Sequence, residues 1–238
     1  KAALPLKALR PIALHYRTNV RHLQSLKKRR NLKERHYLQV ENLANLFVAG
    51  AAHRNTYDLG LLKITDLSLS AGIVLFRDKP ADSSVYRRIA ALPSILIHEL
   101  QSYLAHLQEL LNYKTRSLSD SVRQAAKAAL DGTGPLLYSV IDNQITAIQP
   151  RAIFTQLLDP NIFRHLQSTH LRRQGAPALL LEAHLGHHFS NPIFGDSGLV
   201  SPIEMGDHLR PHLDRFLEEL GYPRPSAESP HLPTRHFT

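Results

Sequence analysis

Arg54, Lys79, Arg164 and His187 are the residues whose type and local context could activate a phosphodiester. Arg54 lies in the string Gly50-Ala-Ala-His-Arg-Asn-Thr-Tyr-Asp58, where apolar neighbours suggest a partly shielded guanidinium. A shielded arginine suits two parallel hydrogen bonds to phosphate oxygens. The plainer role is an i,i+4 pair with Asp58. Lys79 falls at the tip of an expected β-turn in Phe76-Arg-Asp-Lys-Pro80. From there a lysine could reach into a groove and deliver a proton, or simply be solvated. Arg164 stands early in an expected helix, in Asn161-Ile-Phe-Arg-His165, where backbone amides also favour an anion. His187 ends Leu185-Gly186-His187, just after another expected helix.

The charge balance points the same way. The chain carries 29 Lys+Arg against 20 Asp+Glu, a net charge of +9. Between Arg21 and Arg35, the seven cations Arg21, Lys27, Lys28, Arg29, Arg30, Lys33 and Arg35 meet one acid, Glu34, a local excess of six. A clustered excess of this kind is the footprint of a polyanion partner, most often nucleic acid, although a basic linker would look the same. There is no cysteine, which excludes disulfides and thiolate metal sites and is the usage expected of a cytoplasmic protein. No apolar run approaches the 18 residues of a membrane span. Lys1 in place of a methionine leads us to expect a fragment of a longer chain.

Periodicity places these residues on elements. Residues 6–26 show helical spacing through Leu9, Ile12, Ala13, Tyr16, Val20 and Leu23, with a second helix at 37–49 and a third at 51–62. Ser68–Arg77, turning at Ala71-Gly72, and Val85–Ala90 read as strands, joined by a turn at Pro80–Ser84. Ser94–Tyr113 is an amphipathic helix and Ser119–Leu130 a shorter one, followed by a hairpin over Leu136–Ile145 turning at Asp142-Asn143. Helices are expected at 150–158, 161–174 and 177–185, and a last one from Pro202 to Leu220, closed by Gly221. The predicted fold is mainly α with a small antiparallel β-sheet. Residues 1–36 read as a basic helical segment or linker, 37–222 as the main domain and 223–238 as a proline-rich flexible tail.

From Leu38 to Gly221 these strings, in this order, resemble the catalytic domain of the tyrosine recombinase (phage integrase) family. Its first arginine box is similar to Ala51-Ala-His-Arg54-Asn-Thr-Tyr-Asp58, its hairpin lysine to Lys79, its second box to Asn161-Ile-Phe-Arg164-His165, and its Leu-Gly-His box to Leu185-Gly186-His187. Asn161 departs from the usual His or Lys. The resemblance implies site-specific DNA recombination or integration by transesterification through a 3′-phosphotyrosyl intermediate, as in a mobile genetic element. Arg54 and Arg164 would hold the non-bridging oxygens. His187 would add a hydrogen bond, and Lys79 would protonate the departing 5′ oxygen. It implies no metal and no other cofactor, double-stranded DNA as partner, no membrane, and a homo-oligomer on DNA in which residues 203–220 could pack on a neighbour.

The family's tyrosine follows its Leu-Gly-His box by about nine to eleven residues, yet Phe189–Ser197 contains none. Ser197, Asp196 and Phe194 compete for the position: Ser197 by alignment back from Ser201-Pro202, Asp196 by count, Phe194 by chemistry. Tyr222 comes 35 residues after His187, beyond an expected helix. The expected protein is therefore a pseudoenzyme, cleavage-deficient by nature or by engineering. Two other functions are open. A non-catalytic helical DNA-binding or regulatory module would need only Lys27, Lys28, Arg29 and Arg30, with Arg151, Arg172 and Arg173 as further phosphate contacts. A metal site would draw on His184, His187, His188, His208 and His212, but the His-Glu-x-x-His pattern is absent.

Overall fold

Helix α2 (Leu32–Gly50) runs through the middle of the protein, and the other elements pack around it. The structure, a computed structural model, describes residues 6–27, 31–53, 58–76, 88–112, 118–142, 144–148, 161–186 and 201–225. Leu43, Ala44, Leu46, Phe47, Val48 and Ala49 of α2 are all fully buried. Every residue from Asn42 to Gly50 is buried, so this stretch of α2 has protein on all sides. α2 begins at Leu32, five residues before the expected start at 37. The reason is an N-cap: the Asn31 side chain accepts from the Glu34 amide at 3.3 Å, and its own amide nitrogen donates to the Glu34 carboxylate at 2.7 Å. The expected boundary between residues 36 and 37 thus falls inside a helix.

Helix α1 (Arg10–Lys27), preceded by a 3-10 turn at Leu6–Leu9, packs on α2. Together they place Leu9, Ile12, Ala13 and Tyr16 in the hydrophobic core shared with the other elements. Helix α3 (Ser94–Asn112) also packs on α2, with α4 (Asp120–Leu130) against α3. The start of α3 is held by Asp214, which accepts from the Ser94 amide at 2.7 Å and from its hydroxyl at 2.6 Å. Asp214 belongs to the last helix, so a long-range carboxylate satisfies donors that a local cap would otherwise serve.

Among the described residues two small antiparallel sheets complete the frame. Strands β1 (Leu67–Ser68), β2 (Ile73–Phe76) and β3 (Arg88–Ala91) form one sheet in that order, with Phe76 opposite Arg88. Gly72 takes φ +63 in the expected Ala71-Gly72 turn, a conformation a glycine adopts without steric cost. Strands β4 (Tyr138–Ile141) and β5 (Gln144–Ala147) form the expected hairpin, and Asp142 enters the turn at φ +50. The turn expected at Pro80–Ser84 and the helix at 150–158 lie outside the described residues.

The C-terminal half supplies α5 (Asn161–Arg173), α6 (Ala178–Leu185) and α7 (Pro202–Leu220), close to their expected limits. α5 packs on α6 and α7, while α6 and α7 both meet β3. The helix expected over 51–62 is a correction. Among the described residues of that span, only a 3-10 turn at Asp58–Leu61 is helical. α2 stops at Gly50, the Ala51 amide bonds back to Phe47, and Ala52 adopts φ +52. Its carbonyls are used by side chains from other elements, as described next. Among the described residues, no helix is long and apolar enough to cross a membrane.

Candidate functional site

The C-terminal end of α2 leaves backbone carbonyls without amide partners, as every helix end does. Here they are met by three buried side chains. Gln167 of α5 donates from Nε2 to the Ala49 and Gly50 carbonyls at 2.5 and 3.1 Å. Arg88 of β3 donates to the Ala51 and Ala52 carbonyls, each at 3.2 Å. Arg164 of α5 donates to the Ala52 carbonyl at 3.1 Å. Arginines suit this position because the aligned peptide dipoles make a helix C-terminus partly negative.

The same two arginines reach the end of α6. Arg88 donates to the His184 carbonyl at 2.6 Å, and Arg164 donates to the Leu185 carbonyl. The Arg88 guanidinium also lies 4.7 Å from the centre of the Phe76 ring, its cross-strand partner on β2. The other side of that ring region meets His53 edge-on at 4.7 Å. Both arginines are buried, and both are tied to more than one element.

His184 completes the cluster. The Ala91 amide donates to its Nδ1 at 3.1 Å, which leaves Nε2 as the protonated nitrogen, donating to Gln167 Oε1 at 3.1 Å. A continuous chain of bonds therefore runs from β3 through α6 and α5 to the end of α2. Burial holds the His184 pKa well below the usual imidazole range, and the Arg88 and Arg164 cations push it further down. This histidine, one of the possible metal ligands by sequence, has both ring nitrogens engaged with protein. Among the described residues no cluster of three or more metal-ligating side chains occurs.

Gly186 follows at φ +64 as the cap of α6. A Cβ there would stand 2.5 Å from Arg88 Cδ, so the missing side chain leaves room for the arginine.

The sequence-predicted residues can now be placed. Arg164 lies in this cluster. Asn161, one turn earlier, opens α5 and is exposed. Arg54, Lys79, His187 and Ser197, with Phe194 and Asp196, lie outside the described residues. The residues flanking three of them are nonetheless in the cluster: His53 before Arg54, Phe76 and Arg88 on the strands joined through Lys79, and Gly186 before His187. Of the expected phosphate contacts, Arg172 pairs with Glu182 at 3.0 Å across α5 and α6, and Arg173 is exposed on the last turn of α5. Lys27 ends α1, while Lys28, Arg29, Arg30 and Arg151 lie outside the described residues.

Tyr222 is buried elsewhere. Its hydroxyl donates to Asn45 Oδ1, its ring packs 5.3 Å from that of Tyr16, and burial raises its pKa well above the usual phenol range. Sequence reasoning missed Arg88 and Gln167 and had His184 only as a possible metal ligand. Gln167 was findable, because it stands three residues after Arg164 and so shares its helix face. Arg88 and His184 sit beside mostly apolar strings, Ile89-Ala-Ala91 and Ala178-Leu-Leu-Leu181, where a polar residue drawn into the core needs a specific buried partner. Comparison with family models, with curated proteins and with solved structures returned no match.

Proposed function

We propose that this chain is a duplex-DNA-binding domain of tyrosine-recombinase type that is cleavage-deficient as it stands. One observation carries the proposal. Arg164 bonds at once to Ala52 and Leu185, which stand two residues before Arg54 and two before His187. Arg88 adds the strand pair that flanks Lys79. Boxes separated by more than a hundred residues thus share one buried anchor, as a single-phosphate site would require.

In this function the site takes one phosphate, whose non-bridging oxygens are bound by Arg54 and His187. Arg164, at its floor, adds positive charge and holds the two segments in register. Lys79 supplies the proton to a departing 5′ oxygen. A covalent step would need a tyrosine hydroxyl to attack phosphorus. Phe189–Ser197 contains no tyrosine, and Tyr222 is buried against Asn45, so the sequence of events ends at binding. Those same two facts also favour the simpler reading of a non-catalytic DNA-binding module.

A nicked suicide duplex separates the readings. The chain as it is should form no denaturant-resistant adduct. Tyrosine restored by Ser197→Tyr, Asp196→Tyr or Phe194→Tyr should form one in a single case, and adding Arg54→Ala should abolish it. An adduct from the unaltered chain would overturn the proposed deficiency. Failure of all three restored variants to react, despite duplex binding, would leave the non-catalytic module. Duplex binding that is absent, or equal at low and high salt, would overturn the DNA function altogether.

A further inference from the structure

Helix α1 has one face in the core and an opposite face built of arginine. Arg10, Arg17 and Arg21 are all exposed, and at 3.6 residues per turn they fall within about 40° of one another. Lys7, in the turn that leads into the helix, is exposed as well. The buried face carries Leu9, Ile12, Ala13 and Tyr16, each no more than 2% exposed, so the orientation of the helix leaves no choice about where the arginines point. No Asp or Glu occurs between Lys1 and Lys27. The acids of α2 that border α1 are taken by its flanking residues: Glu41 by His15 and Asn19, each at 3.0 Å, and Glu34 by His22 at 3.2 Å. Among the described residues none of the three arginines pairs with a carboxylate.

An ordinary surface helix intersperses its signs, because like charges one turn apart repel. Arg17 and Arg21 are such a pair, and Arg10 extends their stripe to a length of about 16 Å. Over that distance duplex DNA presents roughly ten phosphate charges. We infer that the outer face of α1 lies along the phosphate backbone of duplex DNA, with Arg10, Arg17 and Arg21 each neutralising a phosphate. This surface rests on the DNA-binding function proposed above but is separate from the Arg164 cluster, and it supplies sequence-independent grip. An anionic membrane is the other polyanion a basic helix could meet. It would require an apolar face to bury, and that face of α1 is already in the core, leaving only Leu14, 58% exposed, in the stripe.

The test is fluorescence anisotropy of the whole chain on a labelled 25-base-pair duplex of arbitrary sequence (roughly 85 Å, longer than the stripe) across a salt series. The triple variant Arg10→Gln, Arg17→Gln, Arg21→Gln should lower the slope of log Kobs against log salt by about 3 and weaken binding on the order of a hundredfold at 0.15 M salt. Its melting temperature should be unchanged, since all three residues are exposed. The corresponding lysine triple should restore the slope. Arg54→Ala should lower the slope by about one and leave the α1 share intact. A wild-type chain that binds while the glutamine triple keeps its slope overturns the α1 surface and spares the proposed function. A wild-type chain that binds no duplex overturns both. A triple that loses binding to phosphatidylserine vesicles but not to DNA overturns the inference in favour of a membrane.

Discussion

At the C-terminal end of α2, Arg88, Arg164, Gln167 and His184 are buried with hydrogen bonds to backbone carbonyls, an amide and each other. Earlier on the same helix, His36, Gln39 and Asn42 are buried beside His106 of α3 and Tyr138 of β4. There, His36 Nδ1, Gln39 Oε1, both Asn42 amide atoms, both His106 nitrogens and the Tyr138 hydroxyl make no hydrogen bond among the described residues. The first cluster is charged and bonded across four elements. The second is neutral and held by one hydrogen bond, from His36 Nε2 to the Tyr138 carbonyl at 2.9 Å, and by ring contacts, with the His36 ring 4.5 Å from Tyr138 and 5.6 Å from His106. Buried charge is retained only where specific partners offset its desolvation. The contrast therefore marks the end of α2 as the place where geometry matters most, and the upper seam as packing that tolerates polar atoms.

The largest expected effect would break the first cluster. Arg88→Ala removes the donor to the Ala51, Ala52 and His184 carbonyls and should cost about 4 kcal/mol of stability in urea denaturation. A loss under about 1 kcal/mol would mean that the cluster is no tighter than the seam. Next comes acid. Burial lowers the His36 pKa to about 4, against the ordinary imidazole value of 6.5. Burial also holds His106 low, with the neighbouring His36 and Arg35 adding to the effect. Above pH 6.5 folded and unfolded chains are both neutral at His36. As pH falls toward 4 the unfolded chain takes up the proton first, so stability should drop by about 3 kcal/mol for this residue across that window. Denaturation at pH 7, 5.5 and 4.5 measures the slope, and His36→Phe should flatten it. The smallest effect has the opposite sign. Asn42→Leu replaces an unpartnered buried amide with an apolar group of similar size and should raise stability by about 1 to 2 kcal/mol. A loss of that size would show that Asn42 is satisfied and that the two regions do not differ.

Much of the fold was legible in the sequence because local chemistry specified it. Pro202 and Gly221 bracket α7, Gly72 marks its turn, and the apolar spacing of 94–113 matches α3. Where a long-range contact competed, local reading failed. The apolar string after Gly50 has helical spacing, yet Arg88 and Arg164 take the carbonyls that a continuing helix would have used. Arg164 was visible as a residue suited to an anion, but its burial and its carbonyl partners were not. They depend on β3 and α6 arriving from other parts of the chain.

The sequence by itself determined the positive balance, the absence of tyrosine from Phe189–Ser197 and the extent of most helices. All of these are properties of composition, spacing or one turn of chain. Only the tertiary structure decided that Arg88, Gln167 and His184 join Arg164, that Tyr222 is sealed against Asn45, and that Arg10, Arg17 and Arg21 face outward without acids. A side chain's surroundings follow from which distant surfaces the hydrophobic core brings together, and no local spacing encodes that.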